Sequence, residues 1–312
     1  MVDWMYLGSE PLREAFFDMD VQRKLGSPFH NIFRRQTPMD ALAEWHAARP
    51  GMAPAGFIFH VSRCGSTLVC RTLDAAGGNL VLSEAFAIEA VLRAHLRVNG
   101  VTRGVQSCWL RWMVSALGQP RPGIERLFIK FDAWAIAELP VIRRAFPFTP
   151  WIFLYRDPIE VLVSHLLTPS GWALPGALHP ALVNIPVQEA ATLDSEDYCA
   201  RALARLYQFG LSHAVRDGGL LVNYAELPEA MWVRVAPHFG LTVDDNLVER
   251  MQQCALFDSK YPRERFESDS EDKRAFAMPR QRELAESWIA PVYRQLEELR
   301  RTRMGSFDAP PA

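Results

Sequence analysis

"GFIFHVSRCGSTLVCRTLDAAGG", residues 56–78, joins three unlike patterns without a break. Residues 56–61 are almost wholly apolar and do not alternate, which predicts a strand buried on both faces. Residues 66–78 read as a helix that Gly77 and Gly78 end. Between them lie Ser62, Arg63, Cys64 and Gly65, with Ser66 and Thr67 opening the helix. A strand running through a tight turn into a helix is the unit of a parallel α/β sheet. The turn brings unpaired backbone N–H groups and the positive end of the helix dipole to one spot, which favours an anion such as phosphate. Gly65 lets the backbone approach the ligand closely, Ser66 and Thr67 offer hydroxyls, and Arg63 offers a permanent charge in a planar fork. A plain turn capped by Ser66 accounts for Gly65 and Ser66 but gives no reason for Arg63.

Outward from this stretch the pattern repeats. Short apolar runs at 79–82, 126–131, 150–155 and 219–224 predict further strands. Helical patterns lie near 39–48, 87–97, 105–117, 135–145, from Pro158 onward, and at 195–216, where Tyr198, Ala202, Leu206 and Phe209 share a face. The expected fold is α/β: a central parallel sheet of about five strands flanked by helices in a three-layer sandwich. The 312 residues read as a single domain, with 1–50 a mainly helical N-terminal segment packed on the core. A loop-rich stretch, 167–194, holds Trp172 and His179. A polar loop, 258–280, holds Lys260, Lys273 and Arg274.

Hydrophobic residues make up 49% and charged residues 22%, which suits a packed domain rather than a disordered chain. A formal net charge of −2 gives no footprint for nucleic acid or a long polyanion. The basic group Arg294, Arg300, Arg301 and Arg303 falls at the end of a predicted helix, where cations suit the dipole. The five cysteines are odd in number and form no C-x-x-C pair, so neither a disulfide framework nor a zinc site is expected. No run reaches the length of a membrane span, and the N-terminus does not read as a signal peptide. A cytoplasmic protein is the expectation.

A second anion site is expected at "YRDPIEVLVS", 155–164. Asp157 suits an N-cap, Pro158 the first helical position, and Glu160 a capping box. None of these accounts for Arg156 at the carboxyl end of a buried strand. Ser164 lies two turns further on. The Walker A pattern fails at the first loop, because Ser66 follows Gly65 with no lysine between. A phosphatase-type loop fails too: the sixth residue after Cys64 is Cys70, and Arg71 comes one place late. Cys64 beside Arg63 at a helix start is open to a lowered pKa, although an incidental cysteine is the simpler reading.

Arg63-Cys64-Gly65-Ser66-Thr67 and Arg156-Asp157-Pro158 with Ser164 together resemble the two signature regions of the sulfotransferase family. These enzymes use 3′-phosphoadenosine-5′-phosphosulfate (PAPS). The resemblance spans about 56–166, with a weaker echo at 220–227, and Cys64 departs from the usual small serine. It implies a sulfotransferase-like P-loop fold and transfer of a sulfuryl group to a hydroxyl or amine. It implies that Ser62, Arg63, Cys64, Gly65, Ser66 and Thr67 hold the phosphosulfate, and that Arg156 and Ser164 hold the 3′-phosphate. It further implies Glu84 as general base, in a crevice where its pKa could be raised, with Lys130 and Arg63 as catalytic cations. No metal is implied. The acceptor is expected to be small or modest in size, with Trp172 and His165 as candidate contacts. His165 or His179 could replace Glu84 as base, although neither sits at the family's histidine position. For Glu84 a first-turn acid behind Ser83, and for Lys130 a surface pair with Asp132, remain open. So do two other functions: an ATP-dependent P-loop phosphotransferase or kinase, and a non-catalytic adenine-nucleotide-binding protein.

Overall fold

A computed structural model of the chain describes residues 1–6, 12, 14–177, 179–261 and 263–307. The apolar runs form a five-stranded parallel sheet of β3 (Pro54–His60), β4 (Asn79–Ser83), β5 (Arg126–Lys130), β6 (Trp151–Tyr155) and β7 (Leu220–Asn223). The spatial order is β4-β5-β3-β6-β7. Every residue of β6 is buried, as are Phe57 to His60 of β3. Strands with no exposed face need cover on both sides, and helices supply it. Phe59 stacks on Phe131 at 4.9 Å and meets Trp151 edge-on at 5.9 Å. The α/β class and the sheet are as the sequence predicts.

The long helix Ser195–Asp217 buries Tyr198, Ala202 and Leu206 along one face. Its Gly210 lies against Phe153 so closely that an added Cβ would stand 2.1 Å from the ring. The N-terminal region contains the helices Phe17–Leu25, Pro28–Ile32 and Asp40–Ala48. It also contains an antiparallel ribbon that the sequence reading did not anticipate, β1 (Val2–Trp4) paired with β2 (Arg35–Thr37). Three-residue strands are too short for alternation to be read, and the ribbon is tied by side chains: Trp4 Nε1 donates to Thr37 Oγ1 at 2.8 Å. Among the described residues no helix is long and apolar enough to cross a membrane.

The topology places the functional residues. β3 lies at the centre, between β5 and β6, so the turns after these three strands open side by side. Parallel register aligns Ser83 with Lys130 and His60 with Leu154, which brings the carboxyl ends of β3, β4, β5 and β6 to one edge. Ligands of open α/β sheets bind at that edge.

Candidate active site

The turn after β3 is held in an unusual backbone shape. Ser62, Arg63 and Gly65 have φ values of 69°, 52° and 82°, all in the left-handed region. At Gly65 a side chain would meet Leu227 at 2.8 Å and Tyr224 at 2.9 Å, so only glycine fits. The Ser62 N–H donates to His60 Nδ1 at 2.9 Å. Gly65 is the N-cap of the helix Ser66–Ala75 and no side chain caps it, so Ser66 is not the cap. Ser62, Arg63, Ser66 and Thr67 all line one cavity. Cys64 faces the other way. It is fully buried and donates to Leu154 O at 3.4 Å, and burial pushes its thiol up to about 12. A lowered pKa at Cys64 is therefore corrected: removal from water outweighs the nearby cations.

Glu84 directly follows β4, with φ 51°, and its N–H donates to Lys130 O at 2.8 Å. Its carboxylate lies 2.7 Å from Lys130 Nζ and 3.4 Å from His60 Nε2. Lys130 also donates to Ser83 Oγ at 3.3 Å and sits over the Phe16 ring at 4.8 Å. Lys130 is buried and paired with Glu84, not on the surface beside Asp132. The next helix begins at Phe86 with Ala85 as its cap, so Glu84 is not a first-turn acid. Burial alone would raise the Glu84 pKa, but Lys130 and His60 outweigh it and hold the carboxyl at about 2. The raised value that a closed crevice alone would give is corrected by this ion pair. Because His60 Nδ1 accepts from Ser62, its proton belongs on Nε2, which lies near Glu84 without a well-aligned hydrogen bond among the described residues. Burial holds His60 below the usual histidine pKa. Asp132, with Oδ1 accepting the Ala133 N–H at 2.6 Å, is pushed up to about 7 by burial and by Glu84.

These groups surround a cavity of about 560 Å³ whose walls also include Phe16, Arg93, Trp134, Trp172, Ala177 and Lys260. Arg63 reaches along its rim, with Nη2 donating to Thr168 O at 2.7 Å. The stretch 167–194 therefore contributes Trp172 to the cavity, from the short helix Gly171–Ala173. His165 does not line the cavity. It is buried behind Trp172, ring centroids 4.8 Å apart, and both its nitrogens lack hydrogen-bond partners among the described residues. Burial, then the Arg63 charge, lowers it to about 3. His179 caps a short helix, accepting the Ala181 N–H at 3.3 Å.

Arg156 follows β6, is 4% exposed, and donates through Nη1 to Arg63 O at 3.3 Å. The two motifs, 93 residues apart in sequence, thus adjoin. The guanidinium lies 3.9 Å over the Tyr224 ring, which comes from the 220–227 stretch. Its Nε meets Glu160 at 2.5 Å, and its Nη2 meets Asp269 at 2.8 Å and Ser270 Oγ at 3.0 Å. Asp157 caps the helix Pro158–Leu167 as expected, accepting the Ile159 N–H at 3.1 Å. Glu160 forms no capping box. Its carboxylate turns to buried Arg156 and to exposed Arg274 at 2.7 Å, because two guanidinium cations outcompete one backbone N–H. Ser164 is buried two turns along the same helix, but its hydroxyl is not among the hydrogen-bond partners of Arg156. The polar stretch 258–280 contains the helix Ser270–Phe276 and docks here, with Lys273 2.5 Å from Asp269. Sequence reasoning missed His60, Phe16, Arg93, Trp134 and Asp269. His60 at the end of a strand, two residues before Ser62, was the nearest to a legible signal.

No protein-family model matches the chain, and no curated protein matches it significantly. Among solved structures, it is similar to a sulfotransferase domain from the curacin biosynthetic pathway, at 12% identity and a TM-score of 0.44. That likeness covers 76% of this chain and 98% of that one. It is similar to a sulfotransferase from Alicyclobacillus acidocaldarius at 14% identity, TM-score 0.43, over 80% of this chain and 96% of that one. It is also similar to a sulfotransferase from Mycobacterium avium at 11% identity, TM-score 0.47, over 80% of each.

Proposed function

We propose that the chain is a sulfotransferase that moves a sulfuryl group from PAPS to a hydroxyl or amine of a modest-sized acceptor. The observation that carries this reading is the contact between the two arginine motifs, Arg156 Nη1 to Arg63 O at 3.3 Å. One doubly phosphorylated nucleotide can therefore span both. The turn 62–67 would hold the 5′-phosphosulfate through left-handed backbone N–H groups, Ser66, Thr67 and Arg63. Arg156, stacked on Tyr224, would hold the 3′-phosphate, which must then share or displace the Asp269 carboxylate. Ser164 keeps its proposed role as a further donor toward that phosphate.

The chemistry is an in-line displacement at sulfur. The acceptor oxygen forms a bond to sulfur while the bond from sulfur to the bridging phosphate oxygen breaks. The bisphosphorylated adenosine leaves with the electron pair, and the acceptor proton goes to the protein. Charge builds on the leaving oxygen, which is where a buried ammonium helps most. Lys130 is such an ammonium, 1% exposed in its side chain. In its resting ion pair Glu84 is a weak base. As Lys130 turns toward the leaving oxygen, Glu84 loses the neighbour that depresses it most and gains basicity as it is needed. His60, with Nε2 3.4 Å from the same carboxylate, remains a polar neighbour of Glu84 while Lys130 is shared. A positioned base of this kind contributes roughly 10²–10⁴-fold.

Calorimetric titration with adenosine 3′,5′-bisphosphate, ATP and AMP tests the reading. The bisphosphate should bind more tightly than AMP, and Arg156→Ala should remove that margin. Equal affinity for AMP and the bisphosphate would refute it. Transfer from radiolabelled donor to a panel of alcohols, phenols and amines then tests turnover.

A further inference from the structure

Among the cavity-lining residues with no part in holding or cleaving the donor are Arg93, Trp134, Trp172 and Phe16. Arg93 is the informative one. Its guanidinium carbon lies 5.2 Å from the centre of the Trp134 ring, a cation–π contact. Its Nε is buried with no hydrogen-bond partner among the described residues. Its carboxylate neighbour, Glu89, lies 3.4 Å from Nη2. Burial and the nearby Asp132 push that carboxyl up to about 8, which weakens it as a counter-charge for the arginine. A permanent charge on a cavity wall with one long, weak ion pair gains from a ligand that supplies a second counter-charge. The donor does not need it, because Arg63, Lys130 and Lys260 already line the same cavity for the phosphosulfate.

We infer that Arg93 is an anion subsite for the acceptor, which is therefore a hydroxy acid whose carboxylate pairs with Arg93 and whose flat apolar body packs on the aromatic walls. The identification of the acceptor hydroxyl rests on the sulfuryl-transfer reading, whereas the anion subsite stands on the geometry around Arg93. A planar guanidinium presents two parallel N–H groups to a carboxylate, a match that a neutral alcohol cannot make. Trp134, Trp172 and Phe16 provide apolar surface on which an aromatic or alicyclic ring displaces water.

The test uses two phenols that differ in one group, 4-hydroxyphenylacetate and 4-ethylphenol. Binding to the full chain is followed by tryptophan fluorescence and calorimetry, with and without saturating adenosine 3′,5′-bisphosphate. Wild type should prefer 4-hydroxyphenylacetate by about tenfold or more, as expected for a charge-assisted bidentate pair. Arg93→Gln should bring the ratio to about one, and Arg93→Lys should keep part of it, because charge without the fork still attracts an anion. The bisphosphate affinity should be unchanged in both variants. Equal binding of the two phenols by wild type, a ratio preserved in Arg93→Gln, or no binding of either phenol at millimolar concentration would overturn the inference. If Arg93→Gln does not fold, Arg93→Lys decides, and an undiminished ratio there counts against the fork. A carboxylate preference that depends on Arg93 without any bisphosphate binding would leave the subsite standing while the donor reading falls. Bisphosphate binding without the preference would do the reverse.

Discussion

Replacing Glu84 by glutamine removes the acid from the buried group it forms with Lys130 and His60, and the structure fixes how the effect depends on pH. The carboxyl sits at about 2, against 4.5 for an unperturbed glutamate. A lowering of that size is worth about 3 kcal/mol of folding stability. A depressed carboxyl pKa adds stability above the unfolded value and loses it as pH falls toward the folded one. About 2 kcal/mol of the contribution is therefore gone by about pH 3. Urea unfolding of wild type and Glu84→Gln at pH 6, 4.5 and 3 measures it. The gap between the two proteins should be about 3 kcal/mol near pH 6 and shrink to about 1 kcal/mol near pH 3. A gap that stays flat across that range would show that Glu84 is not held in a tight ion pair when folded. Lys130→Met alone should also destabilise at neutral pH. The double variant should be more stable than the less stable single, because no uncompensated buried charge remains.

Cys64, buried with its thiol near 12, should resist alkylation at pH 8 in the folded protein and react on unfolding, read by mass spectrometry. Labelling of folded Cys64 would contradict its orientation into the core. Gly65→Ala should weaken adenosine 3′,5′-bisphosphate binding and lower Tm, since its Cβ would press on Leu227 and Tyr224 at a φ of 82°. Gly210→Ala, whose Cβ would strike the Phe153 ring, should cost about 1–3 kcal/mol in urea unfolding with no change in nucleotide affinity per folded molecule. Glu297→Leu should cost at least about 2 kcal/mol, because this acid accepts from Tyr155 Oη at 2.6 Å and from Asn223 Nδ2 at 2.9 Å; buried Tyr155 would lose its partner and Asn223 would keep only Tyr293.

The sheet was legible because its strands are short, continuous apolar runs, and burial on both faces writes itself locally in the sequence. The adjacency of Arg63 and Arg156 was legible from motif types, and the strand order shows why they meet: β3 and β6 are hydrogen-bonded neighbours. Charge compensation was not legible. Whether Glu84 is acidic or basic depends on Lys130, 46 positions away, whose Nζ lies 2.7 Å from it only because β4 and β5 pair in register. The same holds for Asp269, which reaches Arg156 from a stretch whose composition reads as a solvated loop. Phe16, Arg93 and Trp134 come to the cavity from three separate segments, and no local spacing marks them.

Ser62, Arg63 and Glu84 are L-residues with side chains held where glycine is the natural occupant. Each such position stores about 1 kcal/mol or more. Screening variants for heat resistance alone should therefore favour Ser62→Gly and Arg63→Gly, since both relax the chain where it is contorted, whereas Glu84→Gly would lose more with the Lys130 ion pair than it gains. Such hits would gain melting temperature while eroding the grip on whatever enters from solvent. For this molecule, thermal robustness and competence pull in opposite directions at the same few backbone angles.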